Sequence, residues 1–183
     1  MSRYVALLRG INVGGKHSIR MTDLKACFEA QGLDDVATYI QSGNVVFTAR
    51  GGSAAEISRR LEDALAERFD CHTRVMLRSR AEMRDVIRRA PRGFGSKPDA
   101  FRYDIIFLNP PLTGAAAVKS VPTRAGVDEA TAGKGVLYFS RLVARATESQ
   151  LARVVKLPIY KSMTIRNWRT TTTLAQMVDG EAS

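Results

Sequence analysis

A mixed α+β fold in two similar halves is predicted by three features of this 183-residue chain. Short runs rich in Val, Ile, Leu and aromatic residues alternate with segments whose apolar residues recur at helical spacing. In the first half the order of these segments reads β-α-β-β-α-β, the ferredoxin-like arrangement. After a Pro- and Gly-rich stretch the order restarts as β-α-β-β-α. The expectation is therefore two ferredoxin-like subdomains related by internal duplication: residues 1–90, a linker loop over 91–102, and residues 103–183 with a terminal helix.

Taken in order, Arg3 to Arg9 is a strand candidate, rich in Val and Leu and ended by Gly10. Thr22 is a good N-cap for a helix to about Gln31, with Leu24, Cys27 and Phe28 on one face and Gly32 as its stop. Val36 to Gln41 and Asn44 to Thr48 follow as strands joined by a tight turn at Ser42-Gly43. Ser53 caps a long helix in which Ile57, Leu61, Leu65 and Phe69 share a stripe, and Thr73 to Arg78 is the next strand. Ser79 and Glu82 form a capping-box pattern for a helix to about Arg89.

Pro91 to Ala100, with Gly93, Gly95 and Pro98, breaks the pattern. Tyr103 to Leu108 then restarts it as an apolar strand. Ala115 to Ser120 is a short helix, Asp128 to Ala132 and Val136 to Ser140 a hairpin about Gly133-Lys134-Gly135, and Thr147 to Val155 a helix. An extended piece from Lys156 leads to a last helix starting near Thr164, with Ile165, Trp168, Thr172 and Ala175 on one side and Trp168 in the core.

A right-handed crossover makes the first two strands parallel, with the third antiparallel between them. The exit of the first strand and the turn joining the second and third then lie at the same end of the sheet. This places Arg9 to Lys16 beside Gln41 to Asn44. Gly14 and Gly15 have the freedom to turn backbone N–H groups toward one point, and Lys16 adds a charge to such a nest. The spacing matches neither G-x-x-x-x-G-K-[ST] nor G-x-G-x-x-G. An ordinary turn into a helix would use the same residues.

Net charge is +10 and the pI near 10.1. Residues 119–169 hold ten basic and three acidic side chains, so the cationic surface lies in the second half and suits phosphate or nucleic acid. Coding bias toward arginine is the bland reading of the same charge. Apolar content of 45% with 25% charged residues suits a globular core. No run approaches a membrane span, and nothing after Met1-Ser2-Arg3 resembles a signal peptide, so a cytoplasmic protein without a membrane partner is expected. Cys27 and Cys71 lack metal-ligand neighbours, and two histidines are too few for a zinc site; neither metal nor cofactor is implied.

The segments Leu7 to Lys16, Tyr39-Ile40-Gln41-Ser42-Gly43-Asn44-Val45-Val46-Phe47 and Thr164-Ile165-Arg166-Asn167-Trp168-Arg169-Thr170 resemble a bacterial family called domain of unknown function 1697. The similarity runs in the family's order over nearly the whole chain. It implies two α+β subdomains and leaves the activity open. The family's first motif commonly continues with Asn or another polar residue where this chain has His17.

Three function classes follow. The first is binding of an anionic small molecule, a nucleotide or phosphorylated metabolite, by Arg9, Asn12, Gly14, Gly15, Lys16, Gln41, Ser42, Asn44, Arg166, Asn167 and Arg169. In that set Arg9 is the fork for phosphate or carboxylate, Asn12 and Gln41 fix orientation, and Ser42 donates a hydroxyl. The second is nucleic-acid binding through the basic second half, with Lys156, Lys161, Arg166 and Arg169 on the phosphate backbone. The third is a homodimer made through exposed sheet edges. The candidate loops lack a carboxylate for acid–base chemistry; Asp23 reads as a helix-dipole partner, and Asp104 as a strand-edge residue or the partner of a nearby arginine. Whether the protein is an enzyme stays open at this point.

Overall fold

The computed structural model describes residues 1–12 and 18–180, and holds two four-stranded antiparallel sheets with helices. The chain forms two compact units, Met1–Arg84 with the chain from Thr173 onward, and Asp85–Thr172. The closing segment thus groups with the first unit, where Asp179 takes the guanidinium Nε of Arg80 at 2.8 Å and of Arg84 at 2.7 Å.

In the first unit, β1 (Ser2–Leu8), α1 (Met21–Ala30), β2 (Asp34–Tyr39), β3 (Asn44–Ala49), α2 (Ala54–Phe69), β4 (Val75–Ser79) and the first residues of α3 (Arg80–Arg88) follow in sequence. The sheet order is β2-β3-β1-β4. Alternation decides which side chains meet the helices. Ala6, Leu8, Val45, Phe47, Val75 and Leu77 pack with Leu24 and Phe28 of α1 and Ile57, Leu61 and Leu65 of α2. Phe28 meets Phe47 edge-on at 5.7 Å. Burying each such side chain contributes about 2 kcal/mol.

Local signals explain the helix starts unevenly. Ser53 and Glu56 form the capping box: Glu56 N–H donates to Ser53 Oγ at 3.2 Å and Ser53 N–H to Glu56 Oε2 at 2.7 Å. Ser79 and Glu82 repeat that exchange at the head of α3. The cap expected of Thr22 is not used, since α1 begins at Met21 behind an extended Arg20.

The second unit carries β5 (Phe101–Leu108), α4 (Gly114–Ser120), β6 (Asp128–Gly133), β7 (Val136–Leu142) and β8 (Met163–Asn167), in the order β6-β7-β5-β8. Its core joins Ile106, Leu108, Leu137, Phe139 and Met163 to Ala117, Val121, Leu151 and Val154. The last α-helix, α5, covers Trp168–Asp179.

Two expectations fail here. The helix over Thr147 to Val155 is instead a series of 3-10 turns, Val143–Glu148, Leu151–Lys156 and Pro158–Ser162. Gln150 N–H is drawn away to Asp128 Oδ2 at 2.8 Å, and Leu157, held extended before Pro158, cannot continue a helix. The helix expected from Thr164 starts four residues later. Met163 to Asn167 pairs with β5, Ile165 opposite Ile106 and Arg166 opposite Ile105, and completes the sheet. No helix among the described residues is long and apolar enough to cross a membrane.

Candidate functional site

The two loops expected to meet at the end of β1 do meet. Asn44, first residue of β3, stands opposite Leu7, and Leu8 N–H donates to Gly43 O at 2.8 Å. Arg9 is held through its backbone on the other side: its N–H donates to Arg74 O at 3.1 Å, and Thr73 Oγ1 donates to its carbonyl at 2.6 Å. Arg9 and Ser42 are half-buried, and Gln41 is exposed.

Asn12 is the clamp of this corner. It adopts a left-handed φ of 57°, which Asn tolerates better than most residues. Its Nδ2 donates to Ile19 O at 3.0 Å and Gln41 O at 3.1 Å, while Oδ1 accepts from Ile19 N–H at 2.7 Å. Both amide hydrogens are therefore committed to backbone carbonyls. Asn44 is fully buried, its Nδ2 donating to Tyr39 O at 3.1 Å and Ser42 Oγ at 2.9 Å. Asn12 thus joins two loops, and Asn44 shapes the turn. Gly43, at φ +74°, permits the approach, because a Cβ there would lie 2.7 Å from Ile11 Cγ1 and 2.9 Å from Leu8 Cβ. Gly14, Gly15 and Lys16 lie outside the described residues.

Arg166, Asn167 and Arg169 have separate fates in the second unit. Arg166 is a strand residue, 8% exposed, whose Nη1 donates to Thr164 Oγ1 at 2.9 Å and Ile165 O at 2.8 Å. Burial pushes its pKa down to about 10. The helix-face position expected of Arg166 is therefore corrected by the strand pairing. Asn167 caps α5, accepting from Thr170 N–H at 2.7 Å. Arg169 is exposed and lines a pocket of about 500 Å³ with Arg102, Phe101, Tyr103 and Trp168.

Trp168 is accordingly half-buried on a pocket wall rather than in the core. Sequence reasoning missed Phe101, Arg102 and Tyr103 in this setting. For the two rings the signal was period two: once the strand begins at Phe101, Phe101 and Tyr103 share one sheet face, opposite the face of Arg102, Ile106 and Leu108.

The nearest acids behave as expected of structural carboxylates. Asp23 lies in the first turn of α1 and takes Arg20 Nε at 2.7 Å. Asp104, 7% exposed, lies 3.5 Å from Arg141 Nε; burial raises its pKa and the neighbouring guanidinium opposes the rise. Burial likewise raises the thiol pKa values of Cys27 and Cys71, which disfavours the nucleophilic thiolate. Among the described residues no group of His, Cys, Asp and Glu is arranged to hold a metal ion.

Comparison with other proteins agrees with the two-sheet architecture. A solved structure described as that of conserved bacterial protein SP0830 from Streptococcus pneumoniae is 27% identical to this chain, with a TM-score of 0.81. The likeness covers 97% of this chain and 98% of the other. No curated protein matches the chain. The profile of one family, described as "Protein of unknown function (DUF1697)", matches residues 1–138. With that match spanning β1 to the middle of β7, the chain belongs to the DUF1697 family.

Proposed function

We propose that this protein binds an anionic small molecule, a nucleotide or phosphorylated metabolite, at the corner where the loop after β1 meets the β2–β3 turn. The observation that carries the reading is the clamp from Asn12 to the Gln41 carbonyl, which fixes two polar loops side by side. Arg9 supplies the charge at the rim, Gln41 and Ser42 supply polar groups, and the Gly14-Gly15-Lys16 segment continues from the clamped residues. Holding the loops in advance lowers the ordering penalty of binding.

The same reading extends to the second unit through an internal duplication of a ferredoxin-like module. Its support is the repeated strand order and two matching bonds, Leu8 N–H to Gly43 O at 2.8 Å and Leu108 N–H to Gly135 O at 2.9 Å. In that alignment Lys134 occupies the place of Ser42.

Thermal-shift measurements against a panel of nucleotides and phosphorylated metabolites test the corner. At least one member raises Tm, and Arg9→Ala or Lys16→Ala makes the rise smaller. Stabilisation that is unchanged in both variants contradicts the assignment.

A further inference from the structure

We infer that the pocket beside Trp168 in the second unit is a binding site for a nucleoside phosphate, its base against the aromatic wall and its phosphate on Arg102 and Arg169. This site is separate from the β1 corner and does not rest on it. The pocket holds about 500 Å³, within the range of a small-ligand cavity. Phe101, Tyr103 and Trp168 supply three half-buried rings, and Arg102 and Arg169 supply two exposed guanidinium groups. Among the described residues that line it, none is acidic. Flat rings beside two exposed cations, one of which also interacts with buried Asp104, match a ligand with a π-face at one end and negative charge at the other.

The wall is fixed in advance. Phe94 sits edge-on to Tyr103 at 4.9 Å, Tyr138 at 5.4 Å and Trp168 at 5.2 Å, so one side chain braces three rings. The segment carrying Phe94 is stitched by its own turns, with Ser96 N–H donating to Gly93 O at 3.1 Å and Phe101 N–H to Lys97 O at 2.9 Å. Gly95 lies flush against the indole: a Cβ there would fall 2.3 Å from Trp168 Nε1.

Phe101 and Tyr103 also border a second cavity of about 290 Å³, with Lys97 and Arg92 along it and one carboxylate, Glu129. A free mononucleotide needs the first cavity alone. A nucleotide within a single strand has room for its neighbour in the second. The two sources share the ring-plus-phosphate chemistry and differ in reach.

Trp168 is the chain's sole tryptophan, so its emission reports on this pocket alone. The experiment titrates the full chain with adenosine monophosphate, adenosine and a short oligoadenylate, in the wild type, Arg9→Ala and the double variant Arg102→Ala/Arg169→Ala. Saturable quenching by the monophosphate that exceeds quenching by adenosine is expected. In the double variant Kd rises about tenfold or more, and Arg9→Ala leaves it unchanged. Stronger, salt-sensitive binding of the oligonucleotide identifies a strand as the source, and preference for the monophosphate identifies a free nucleotide. The proposal is overturned if neither phosphate-bearing probe changes the emission, or if both bind the double variant with unchanged Kd. Loss of quenching in Arg9→Ala alone also overturns it.

Discussion

Asn12 Nδ2 and the Gln41 carbonyl lie 3.1 Å apart across 29 residues of sequence, and that single donor fastens the loop after β1 to the β2–β3 turn. Replacing Asn12 by Ala removes this bond together with both bonds to Ile19, and leaves a Cβ-only residue at a left-handed φ. The expected loss is about 2–3 kcal/mol in urea unfolding. Asn12→Asp retains the acceptor for Ile19 N–H but turns a carboxylate oxygen toward the Ile19 and Gln41 carbonyls, and should cost at least as much as Asn12→Ala. A neutral Asn12→Ala would mean the loops meet without the clamp.

Gly43 tests the same corner from the turn. Gly43→Ala introduces strain at φ +74° and a contact of 2.7 Å with the Ile11 side chain, so either Ile11 or the turn must move. A destabilisation of about 2 kcal/mol or more is expected by denaturant unfolding. Any anion affinity of the corner should weaken with it.

Tyr138 gives a pH signature. Its hydroxyl donates to Val86 O at 2.7 Å in a buried setting, and burial raises its pKa from 10.0 to about 12. The folded state therefore holds this proton after the unfolded chain has released it. The stabilisation is full below pH 10 and is lost as pH rises toward 12. Tyr138→Phe should cost about 1 kcal/mol at neutral pH and flatten the decline measured over that window. A parallel decline in both proteins would remove Tyr138 from the explanation.

Gly95→Ala addresses the second unit. The added methyl group meets the Trp168 indole at 2.3 Å, on a backbone with φ +84°. Tryptophan emission should shift and Tm should drop by several degrees, corresponding to about 1–2 kcal/mol. An unaltered emission spectrum would show that the loop does not touch the indole.

The neighbourhood of β1 and the β2–β3 turn was legible in the sequence because strand order and handedness alone determine it. The cap at Ser53 and the capping box at Ser79 were legible because their signals lie within one turn. Less visible was anything set by a distant partner. β8 exists because Met163 to Asn167 pairs with β5, about sixty residues earlier, and the local Thr-Ile run reads equally as a helix start. The 3-10 turns depend on Asp128 capturing Gln150 N–H. Asn12 and Asn44 were recognised as special polar residues, but their chemical identity does not reveal whether an amide faces a ligand or its own backbone. Phe101, Tyr103 and Trp168 come together only once β5 and β8 pair and Phe94 braces them.

The most direct measurement of anion binding at the β1 corner is an amide NMR titration of the wild type and Arg9→Ala with adenosine monophosphate and with inorganic phosphate. The expected result is saturable shifts at Arg9, Gly10, Gln41 and Ser42 with at least one of the two anions, abolished by Arg9→Ala. Unmoved resonances at these four amides with both anions, or equal shifts in the variant, would contradict it.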